Sequence, residues 1–348
     1  MDGARGPIRY PHEAAPGGTE AVEITEGVLW LRLPLPMRLD HVNVYALDDG
    51  DGWTVVDTGF DTGKARGLWQ AILAGPLAGR PVRRLVATHH HPDHIGLAGW
   101  FQTAQGTELL ATRTAWLYGR MLTLDRHETA KPEVLAFWRG GGMDPEIYAK
   151  RAAERPFNFA DVVGEMPLGF TRLMDGGTIR MGGRDWDIRT GDGHAPEHAT
   201  FWSRDDHLVI AGDQILPSIS PNLGVYATEP DADPVGEWLA SCTRLAAHAG
   251  EDHLVLPGHK LPFTGLPTRL AQLIDNHHGA LLRLRAFLAE PRVAAECFQT
   301  LFCRSIGEAE YGLALVETMG HLNHLLAEGA VTRRRRADGA WLWQRTGA

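Results

Sequence analysis

Residues 88–96 read Thr-His-His-His-Pro-Asp-His-Ile-Gly, and this stretch decides the fold. It places three imidazoles, those of His89, His91 and His94, and the carboxylate of Asp93 on one short segment. Borderline divalent cations favour neutral imidazole and carboxylate oxygen as ligands. Histidines two apart in an extended segment can point the same way, and the proline turns the chain toward a second position. The motif therefore predicts a loop that contributes ligands to two metal ions.

Three later segments supply the partners that such a site needs. Each is an apolar run, predicted to be a buried strand, and each carries a histidine or an aspartate at or just past its end. These residues are His194, Asp213 and His259. Because loops at strand ends are where a rigid scaffold presents its chemistry, we expect all three to join the 88–96 motif.

The combined motif resembles that of the metallo-β-lactamase fold hydrolase superfamily, with a glyoxalase-II-like dinuclear site, over roughly residues 22–265. The resemblance implies two divalent metal ions, zinc in preference to manganese or iron, which share a bridging hydroxide as the nucleophile. The implied ligands are His89, His91 and His194 for one ion, Asp93, His94 and His259 for the second, and Asp213 as the bridge. Asp93 is also the expected catalytic residue, because its carboxylate can accept a hydrogen bond from the hydroxide and steer it.

The residue at position 213 indicates the subclass. Several β-lactamases place a cysteine at the related position, whereas a bridging carboxylate beside a complete His-x-His-x-Asp-His motif is similar to thioesterases, lactonases and phosphodiesterases. His91 argues against the oxygen-reducing di-iron relatives, which tend to carry glutamate there. We therefore expect a metal-dependent hydrolase of a thioester, a lactone or another small acyl ester, and no β-lactamase activity. Leu216 stands where some lactonases have a tyrosine, so the lactone is not singled out.

Two other functions stay open at this point. The alternative enzyme is an RNA endonuclease or phosphodiesterase whose C-terminal module binds nucleic acid through Arg333–Arg336. The net charge of −9 would repel a polyanion, and a short run of arginines is more often a solvated surface. The third candidate is a binding or dimerisation protein with an idle site, and the complete set of ligands argues against it.

Five polar residues are weaker candidates for the site. Asp57 and His198 occupy positions where relatives often keep groups that orient the metal ligands. Ser218, Asn222 and Tyr226 lie shortly after the predicted bridging aspartate and are candidates for the lining of the substrate pocket. For each of the five, the alternative is a purely structural side chain.

The order of the predicted elements indicates an α/β (α+β) fold. Strands dominate residues 21–266, whereas residues 115–158 are predicted to be helical and are rich in aromatic residues and methionine. The resemblance implies a four-layer αββα sandwich for residues 21–266, and we interpret residues 115–158 as a helical lid inserted over the metal loop. Residues 1–20 are polar and rich in glycine and proline, so we expect a loose leader there.

Residues 267–348 are predicted to form a small helical C-terminal domain. A helix followed by two short strands around the Asp-Gly turn at 338–339 resembles the winged-helix module attached to some members of the superfamily. The apolar residues of the last helix could form the seam of a homodimer or pack within the chain; they are Leu313, Val316, Met319 and Leu322.

Composition narrows the class further. A chain of 348 residues with 44% hydrophobic and 22% charged residues suits one large and one small globular domain. The N-terminus lacks the apolar core of a signal peptide, and no stretch approaches the ~18 apolar residues of a membrane span. Cys242, Cys297 and Cys303 lack metal-type spacing and fit free thiols in a reducing compartment. We therefore expect a cytoplasmic enzyme that acts on a small acyl substrate.

Overall fold

The structure is a computed structural model that describes residues 7–347, and the chain packs as two compact units. The first unit comprises the chain up to Arg126 together with Asn158–Pro221 and Leu245–Leu270. The second comprises His127–Phe157, Asn222–Arg244 and the chain from Ala271 onward. Each unit thus combines separate stretches of chain, whereas the sequence predicted continuous domains. The segment 115–158, predicted as one lid, is divided between the units.

The first unit contains a seven-stranded mixed sheet whose strands lie in chain order. Neighbouring strands pair antiparallel in the first half of the sheet and parallel in the second half. The strands are β1 (Val22–Thr25), β2 (Val28–Pro34), β3 (His41–Asp48), β4 (Trp53–Val56), β5 (Val82–Val86), β6 (Glu108–Thr112) and β7 (Thr171–Leu173). The apolar run from Val22 to Leu33 forms two of these strands. Gly27 interrupts it with a φ of 72°, in the left-handed region that favours glycine, and the chain turns back as a hairpin.

A second sheet of five strands belongs to the same unit. It consists of β8 (Thr178–Met181), β9 (Arg184–Gly191), β10 (His198–Ser203), β11 (Leu208–Gly212) and β12 (Leu254–Pro257), in the order β12-β11-β10-β9-β8. All neighbours pair antiparallel except β11 and β12, which are parallel. The strands β9, β11 and β12 therefore run in the same direction and end at the same edge of this sheet.

Apolar side chains on both faces of the seven-stranded sheet hold the first unit together. One cluster joins Trp30 and Tyr45 of the first sheet to Trp186 and Phe201 of the second, so the two sheets pack face to face. The other cluster joins the opposite face of the first sheet to helices, for example through Trp69. The helices of this unit are α1 (Gly63–Ala74), α2 (Pro92–Ile95), α3 (Ala98–Gln105) and α4 (Arg113–Leu124), with a 3₁₀ turn at Phe159–Asp161. The predicted α/β sandwich is confirmed.

Side-chain caps fix where two of these helices begin. The Thr62 hydroxyl accepts the backbone N–H of Ala65 (3.1 Å) at α1, and the Thr112 hydroxyl accepts that of Ala115 (3.3 Å) at α4. Threonine is favoured at this position because its oxygen satisfies an N–H that has no partner within the helix. The helix α4 follows directly from the end of β6, whereas a loop separates α1 from β4.

The second unit is mainly helical. Its helices are α5 (Pro132–Gly140), α6 (Pro145–Ala153), α7 (Pro234–Ala246), α8 (Leu266–Phe287), α9 (Phe298–Phe302) and α10 (Tyr311–Ala327), with 3₁₀ turns at Ala294–Cys297 and Glu308–Glu310. Its strands are β13 (Val331–Arg335) and β14 (Trp341–Arg345). One end of α7 and one end of α8 belong to the first unit. As predicted, the last helix is followed by a hairpin, and Gly339 takes a φ of 93° in its turn. The side chains of Val316, Met319 and Leu322 are buried within the single chain, so of the predicted dimer seam only Leu313 is exposed. A homodimer stays a prediction.

Two further predictions concern the leader at residues 1–20 and the absence of a membrane-spanning segment. Residues 1–6 of the predicted leader lie outside the described residues, and Arg9 exchanges backbone hydrogen bonds with Thr264. Among residues 7–347, no helix combines the length and the apolar character that a membrane crossing needs.

Two histidines of the second unit are buried against each other. The rings of His277 and His321 are nearly parallel, with centroids 5.3 Å apart, and Nδ1 of His277 lies 3.2 Å from Nε2 of His321. Nδ1 of His321 donates to the Glu317 carbonyl (2.9 Å), so its Nε2 accepts from His277. Burial lowers the pKa of His277 to about 3 and that of His321 to about 4. Both rings are therefore neutral at neutral pH.

We expect the second unit to lose stability as the pH falls below about 6.5, the ordinary pKa of histidine. Both folded-state pKa values are lowered, so the unfolded chain takes up protons first, at a cost of about 2 kcal/mol per histidine by about pH 5. His324 and Glu317 act in the opposite sense and offset part of this loss, because the hydrogen bond to Asp233 raises the pKa of His324 and burial raises that of Glu317 to about 7. Amide exchange of α8 and α10, corrected for the intrinsic pH dependence, measures the effect.

The neighbouring histidine provides the control for this acid sensitivity. His277→Gln should weaken it, whereas His278→Gln should preserve it because His278 is exposed. If His277→Gln leaves the pH dependence of exchange unchanged, the buried pair is not its cause.

Candidate metal centre

The predicted ligands stand where strands of the two sheets end. Residues 89–94 follow β5 and lead into α2, while His194, Asp213 and His259 follow β9, β11 and β12. The structure brings all seven predicted ligands together in the first unit, in three overlapping groups whose donor atoms lie within 4.8 Å of one another. The groups are His89, His91 and His194; His89, His94 and Asp213; and Asp93, His94 and His259.

Three imidazoles form the first donor group. Nδ1 of His91 lies 3.0 Å from Nε2 of His89 and 3.0 Å from Nε2 of His194. An imidazole nitrogen carries either one proton or one lone pair, so Nδ1 of His91 cannot satisfy both contacts as hydrogen bonds. Burial lowers the pKa of His89 and of His91 well below the usual range, which keeps both in the neutral form that ligates metals. The arrangement fits three lone pairs that face one cation.

The second donor group combines one carboxylate with two imidazoles. Oδ2 of Asp93 lies 3.6 Å from Nε2 of His94 and 3.4 Å from Nε2 of His259. These separations exceed the usual range of hydrogen bonds, about 2.7–3.2 Å for nitrogen donors, so the atoms surround a common point without bonding one another. Imidazole nitrogen and carboxylate oxygen again suit a divalent cation.

Asp213 lies between the two groups. Its Oδ2 is 3.5 Å from Nε2 of His194 in the first group and 3.1 Å from Nε2 of His259 in the second. Its Oδ1 is 3.5 Å from Nε2 of His94. Burial opposes ionisation of this carboxyl, but the charges of His259 and His94 hold its pKa well below the usual range. An ionised carboxylate that lies within 3.5 Å of nitrogens of both groups is placed to contact two cations.

Two buried polar atoms of the cluster lack hydrogen-bond partners among the described residues, and this bears on whether the residues fit metal ions. Nε2 of His94 and Oδ1 of Asp213 make no hydrogen bond to any residue that the structure describes. A buried polar atom without a partner costs about 1–3 kcal/mol. Both atoms are potential metal ligands, and a cation would satisfy them together. The donor set therefore fits divalent ions with nitrogen and oxygen ligands.

Asp57 contacts His94 directly and is linked to His89 through Thr88. Its Oδ1 accepts the backbone N–H of Thr88 (2.8 Å), and its Oδ2 lies 2.8 Å from Nδ1 of His94. The Thr88 hydroxyl donates to Oδ2 of Asp57 (2.9 Å) and lies 3.0 Å from Nδ1 of His89. In this network both histidines donate from Nδ1, so each presents the lone pair of Nε2 to the metal centre. Asp57 itself has a φ of 64°, a strained conformation typical of functional sites.

His198 contacts two residues of the cluster, Asp213 and His89. Its Nε2 accepts the backbone N–H of Asp213 (3.1 Å), and its ring stacks on that of His89 with centroids 4.5 Å apart. Burial lowers the pKa of His198 to about 3, which keeps it neutral and able to accept this hydrogen bond. His198 is therefore a positioning residue for one ligand's backbone and another ligand's ring.

Residues of β3 hold the loop that carries His259. Nδ1 of His259 donates to the backbone carbonyl of His41 (2.7 Å). The side chain of Asn43 and the hydroxyl of Tyr45 both donate to the carbonyl of Pro257, at 2.9 and 2.8 Å. The sequence analysis missed Tyr45 and Thr88. For Tyr45 the available signal was the alternation of His41, Asn43 and Tyr45 along β3, which places their side chains on one face of the sheet.

The three predicted pocket residues lie outside the cluster of metal-ligand candidates. Ser218 is exposed in the loop after β11, and none of the donor groups includes it. Asn222 lies in the second unit, where its amide donates to Glu317 (2.8 Å). Tyr226 also lies in the second unit and is half-exposed. That these residues line a substrate pocket stays a prediction.

We expect Gly258→Ala to weaken metal binding at the whole cluster. A Cβ at this position would lie 2.2 Å from Oδ1 of Asp213 and 2.9 Å from Cε1 of His94, so two ligands must move. Gly250→Ala is a matched control, since its Cβ would meet its nearest neighbour, His253, at an ordinary 3.5 Å. Metal content by mass spectrometry compares the two. Full metal content in Gly258→Ala would contradict the close packing described here.

The chain matches two known domain families. Residues 37–287 match the metallo-beta-lactamase superfamily, and residues 281–346 match the metallo-beta-lactamase-like C-terminal domain. A curated relative, the probable metallo-hydrolase YqjP of Bacillus subtilis (strain 168), is 26% identical over 316 residues, 88% of this chain and 95% of that protein.

Two solved structures share the fold over nearly the whole chain. A beta-lactamase domain protein from Burkholderia ambifaria is 34% identical, with a TM-score of 0.89 over 97% of this chain and 98% of that one. A metallo-beta-lactamase family protein from Thermus thermophilus is 28% identical, with a TM-score of 0.76 over 92% of this chain and 99% of that one. With its cluster of histidines and aspartates able to hold metal, the chain is a metallo-hydrolase that belongs to the metallo-beta-lactamase superfamily.

Proposed function

We propose that the protein is an acyl hydrolase that uses two divalent metal ions, zinc by preference, to cleave a thioester, a lactone or another small acyl ester. In this assignment the ligands of the first ion are His89, His91 and His194, those of the second are Asp93, His94 and His259, and Asp213 bridges both.

The position of Asp213 carries the proposal. Its two oxygens face imidazoles of both donor groups, at 3.5 Å from His194 and from His94. When bound, a pair of divalent ions at such a site supplies a nucleophilic hydroxide near neutral pH and polarises the oxygen of the attacked carbonyl. No serine or cysteine nucleophile is then required.

Asp93 is the residue placed to handle the proton of the nucleophile. Its side chain is 16% exposed, whereas those of His94 and Asp213 are buried. Its Oδ2 faces the second donor group, and its Oδ1 makes no hydrogen bond to the described residues. That oxygen can accept a proton from water that enters the site and can hold it for the leaving group. Asp57 and His198 keep the surrounding ligands in place while this occurs.

The contacts of the arginine run weaken the RNA endonuclease alternative. Arg333 pairs with Asp231 (2.7 Å), and Arg336 pairs with Asp338 (2.7 Å). The guanidinium of Arg335 lies 4.6 Å from the ring centre of Trp341. Carboxylates therefore already neutralise two of the four arginines, and the net charge of the chain is −9. An acyl substrate needs neither a basic surface nor a positive net charge.

The test is a pair of initial rates on an acyl thioester and on a bis-aryl phosphodiester. Each is measured with metal-loaded and chelator-treated protein, and bound metal is counted by mass spectrometry. Chelator-sensitive turnover of the thioester, with two zinc ions per chain, supports the proposal. Preference for the phosphodiester would favour the nuclease, and turnover of neither substrate, nor of a lactone, would overturn the acyl assignment.

A further inference from the structure

We propose that Arg32 and Lys260 form an anion-binding subsite beside the predicted metal ligands, so that the enzyme prefers acyl esters that carry a carboxylate or a phosphate over neutral esters. This inference rests on the proposed acyl hydrolase function and names the substrate class. We call these two side chains the cationic subsite. Both belong to the first unit, and both are half-buried.

Hydrogen bonds connect the cationic subsite to His259. Lys260 follows His259 directly in the chain, and Nη2 of Arg32 donates to the Lys260 carbonyl (3.0 Å). The backbone N–H of Lys260 donates to Nε2 of His41 (2.9 Å), and the carbonyl of His41 accepts from Nδ1 of His259 (2.7 Å). The guanidinium therefore contacts the residue next to a predicted metal ligand.

The pairing of β2 with β3 directs Arg32 toward the same loop. Arg32 lies opposite Asn43, and its Nε donates to the amide oxygen of Asn43 (3.2 Å). Side chains directly opposite one another in a sheet project from the same face. The amide nitrogen of Asn43 donates to the carbonyls of Pro257 (2.9 Å) and Lys260 (2.8 Å). Two hydrogen bonds thus hold the guanidinium on the face of β2 and β3 that supports the loop of His259.

Neither cation of the subsite has a carboxylate partner among residues 7–347. Arg32 uses Nε and Nη2 for neutral oxygens, and no carboxylate of the described chain forms an ion pair with it. The Lys260 ammonium makes no hydrogen bond or ion pair within that part of the chain either. Asp40, whose charge acts on Arg32, is exposed and directs its Oδ1 to Nδ1 of His41 (2.7 Å). Because cations that are partly removed from water are usually paired, this arrangement fits an anionic ligand.

The backbone of Lys260 points to the same role. Its φ of 71° lies in the left-handed region that favours glycine. Such conformations cost free energy in other residues, and they cluster at active sites and ligand clamps. Glycine would adopt this φ without strain and would keep the backbone hydrogen bonds of the position. Those hydrogen bonds alone therefore do not call for a lysine, and its side chain is the part that a ligand would use.

The chemistry of the subsite favours a single oxyanion. A guanidinium binds carboxylate and phosphate through directed N–H···O bonds, and an ammonium adds a compact charge. The net charge of −9 opposes a polyanion, but screening over about 8–10 Å leaves one anionic group subject mainly to the charges beside it. Because Lys260 follows a predicted metal ligand, the anion that fits belongs to the same molecule as the scissile carbonyl.

The experiment compares initial rates of the metal-loaded enzyme on matched pairs of thioesters. In the first arm, a glutaryl thioester is paired with its glutaramoyl counterpart, in which an amide replaces the distal carboxylate. In the second arm, the acetyl thioester of phosphopantetheine is paired with that of pantetheine, which lacks the phosphate. We expect kcat/KM to be roughly tenfold higher for the anionic member in one arm, the usual effect of a hydrogen bond to a charged group. That arm identifies the anion and the side of the ester that carries it.

Substitutions in the subsite should lower the ratio of the anionic to the neutral rate. We expect Arg32→Gln and Lys260→Gly each to lower it several-fold, and the double variant to bring it to about one. The ratio compares two substrates on one variant, so a general loss of activity cancels. Lys64→Gln removes an exposed lysine of the same unit that has no ion pair among the described residues, and Ala78→Gly replaces another left-handed residue (φ 52°). Both controls should keep the wild-type ratio.

Calorimetric binding, measured without turnover, separates failure of this inference from failure of the proposed function. It compares glutarate with its monoamide glutaramate, and phosphopantetheine with pantetheine, so that the two members of each pair differ in one anionic group. If no thioester is cleaved, the acyl hydrolase proposal fails, while tighter binding of an anionic member that the double variant loses still supports the subsite. The inference is overturned if the wild type prefers the anionic member in neither arm, or if the double variant retains the wild-type preference.

Discussion

Asp213→Ala is expected to abolish turnover and to remove metal from both positions of the centre. The carboxylate is the predicted ligand that lies between the two donor groups, with its Oδ2 3.5 Å from Nε2 of His194 in the first and 3.1 Å from Nε2 of His259 in the second. Its loss leaves the imidazole of His259 without its principal negative partner and removes one of three carboxylates near His94. We expect metal affinity to fall by more than the 10–100-fold that removal of an outer hydrogen-bond partner typically costs.

Metal content and initial rates, measured after metal loading, check this expectation. Asp252→Ala is the control, since Asp252 is an exposed aspartate of the same unit with no hydrogen bond from its side chain among the described residues. It should bind metal and turn over substrate as the wild type does. Normal metal content or activity in Asp213→Ala would refute the assignment of the bridging ligand.

Asp57→Asn is expected to reduce metal affinity and activity by roughly 10–100-fold without unfolding the protein. Oδ1 of Asp57 accepts from the backbone of Thr88 and Oδ2 faces Nδ1 of His94, so both oxygens act as acceptors. An amide replaces one acceptor by a donor. Whichever way it is turned, either the Thr88 N–H or the His94 N–H then faces an NH₂ group. If His94 must accept at Nδ1, its proton moves to Nε2, and Nε2 can no longer ligate.

The backbone of Asp57 makes asparagine the appropriate substitution. Its φ of 64° lies in the left-handed region, which asparagine tolerates nearly as well as aspartate. Asp49→Asn is the control: Asp49 also accepts several hydrogen bonds, from Thr54, Arg84 and Gly182, but it touches no predicted ligand. Both variants should lose some stability. A metal affinity that falls equally in the two would indicate a general loss of structure instead of a specific loss of orientation.

The elements that a sequence can predict are those whose signal is local. The strands β3, β4 and β5 are apolar runs bounded by turn residues, and α1 begins at a threonine cap. Those that it missed depend on partners elsewhere in the chain. The strand β7 has only three residues, two of them exposed, and forms because β6 offers it a parallel edge. Within the predicted helical domain, residues 294–302 form a 3₁₀ turn followed by a five-residue helix.

The predicted metal ligands could be recognised in the sequence more fully than the residues that hydrogen-bond to them and to their loops. Metal coordination restricts the residue types to histidine and acidic residues at strand ends, and such residues are recognisable one at a time. Its supports use ordinary hydrogen bonds, which many residue types can make. Tyr45 and Pro257 are far apart in sequence and meet only because β3 lies beside the loop after β12. Asp57 and His198 were recognised through the resemblance, but their partners were not.

The sequence by itself indicated the metallo-hydrolase class and predicted seven ligand positions, because both depend on residue types and short-range spacing. Only the tertiary structure decided which atoms face one another. It placed the oxygens of Asp213 between the two donor groups, set Nε2 of His89 and of His94 toward the centre and fixed α4 beside the metal loops. It also divided the chain into two discontinuous units. These features depend on contacts between residues that are distant in sequence, and such contacts exist only once the sheets have paired and the core has packed.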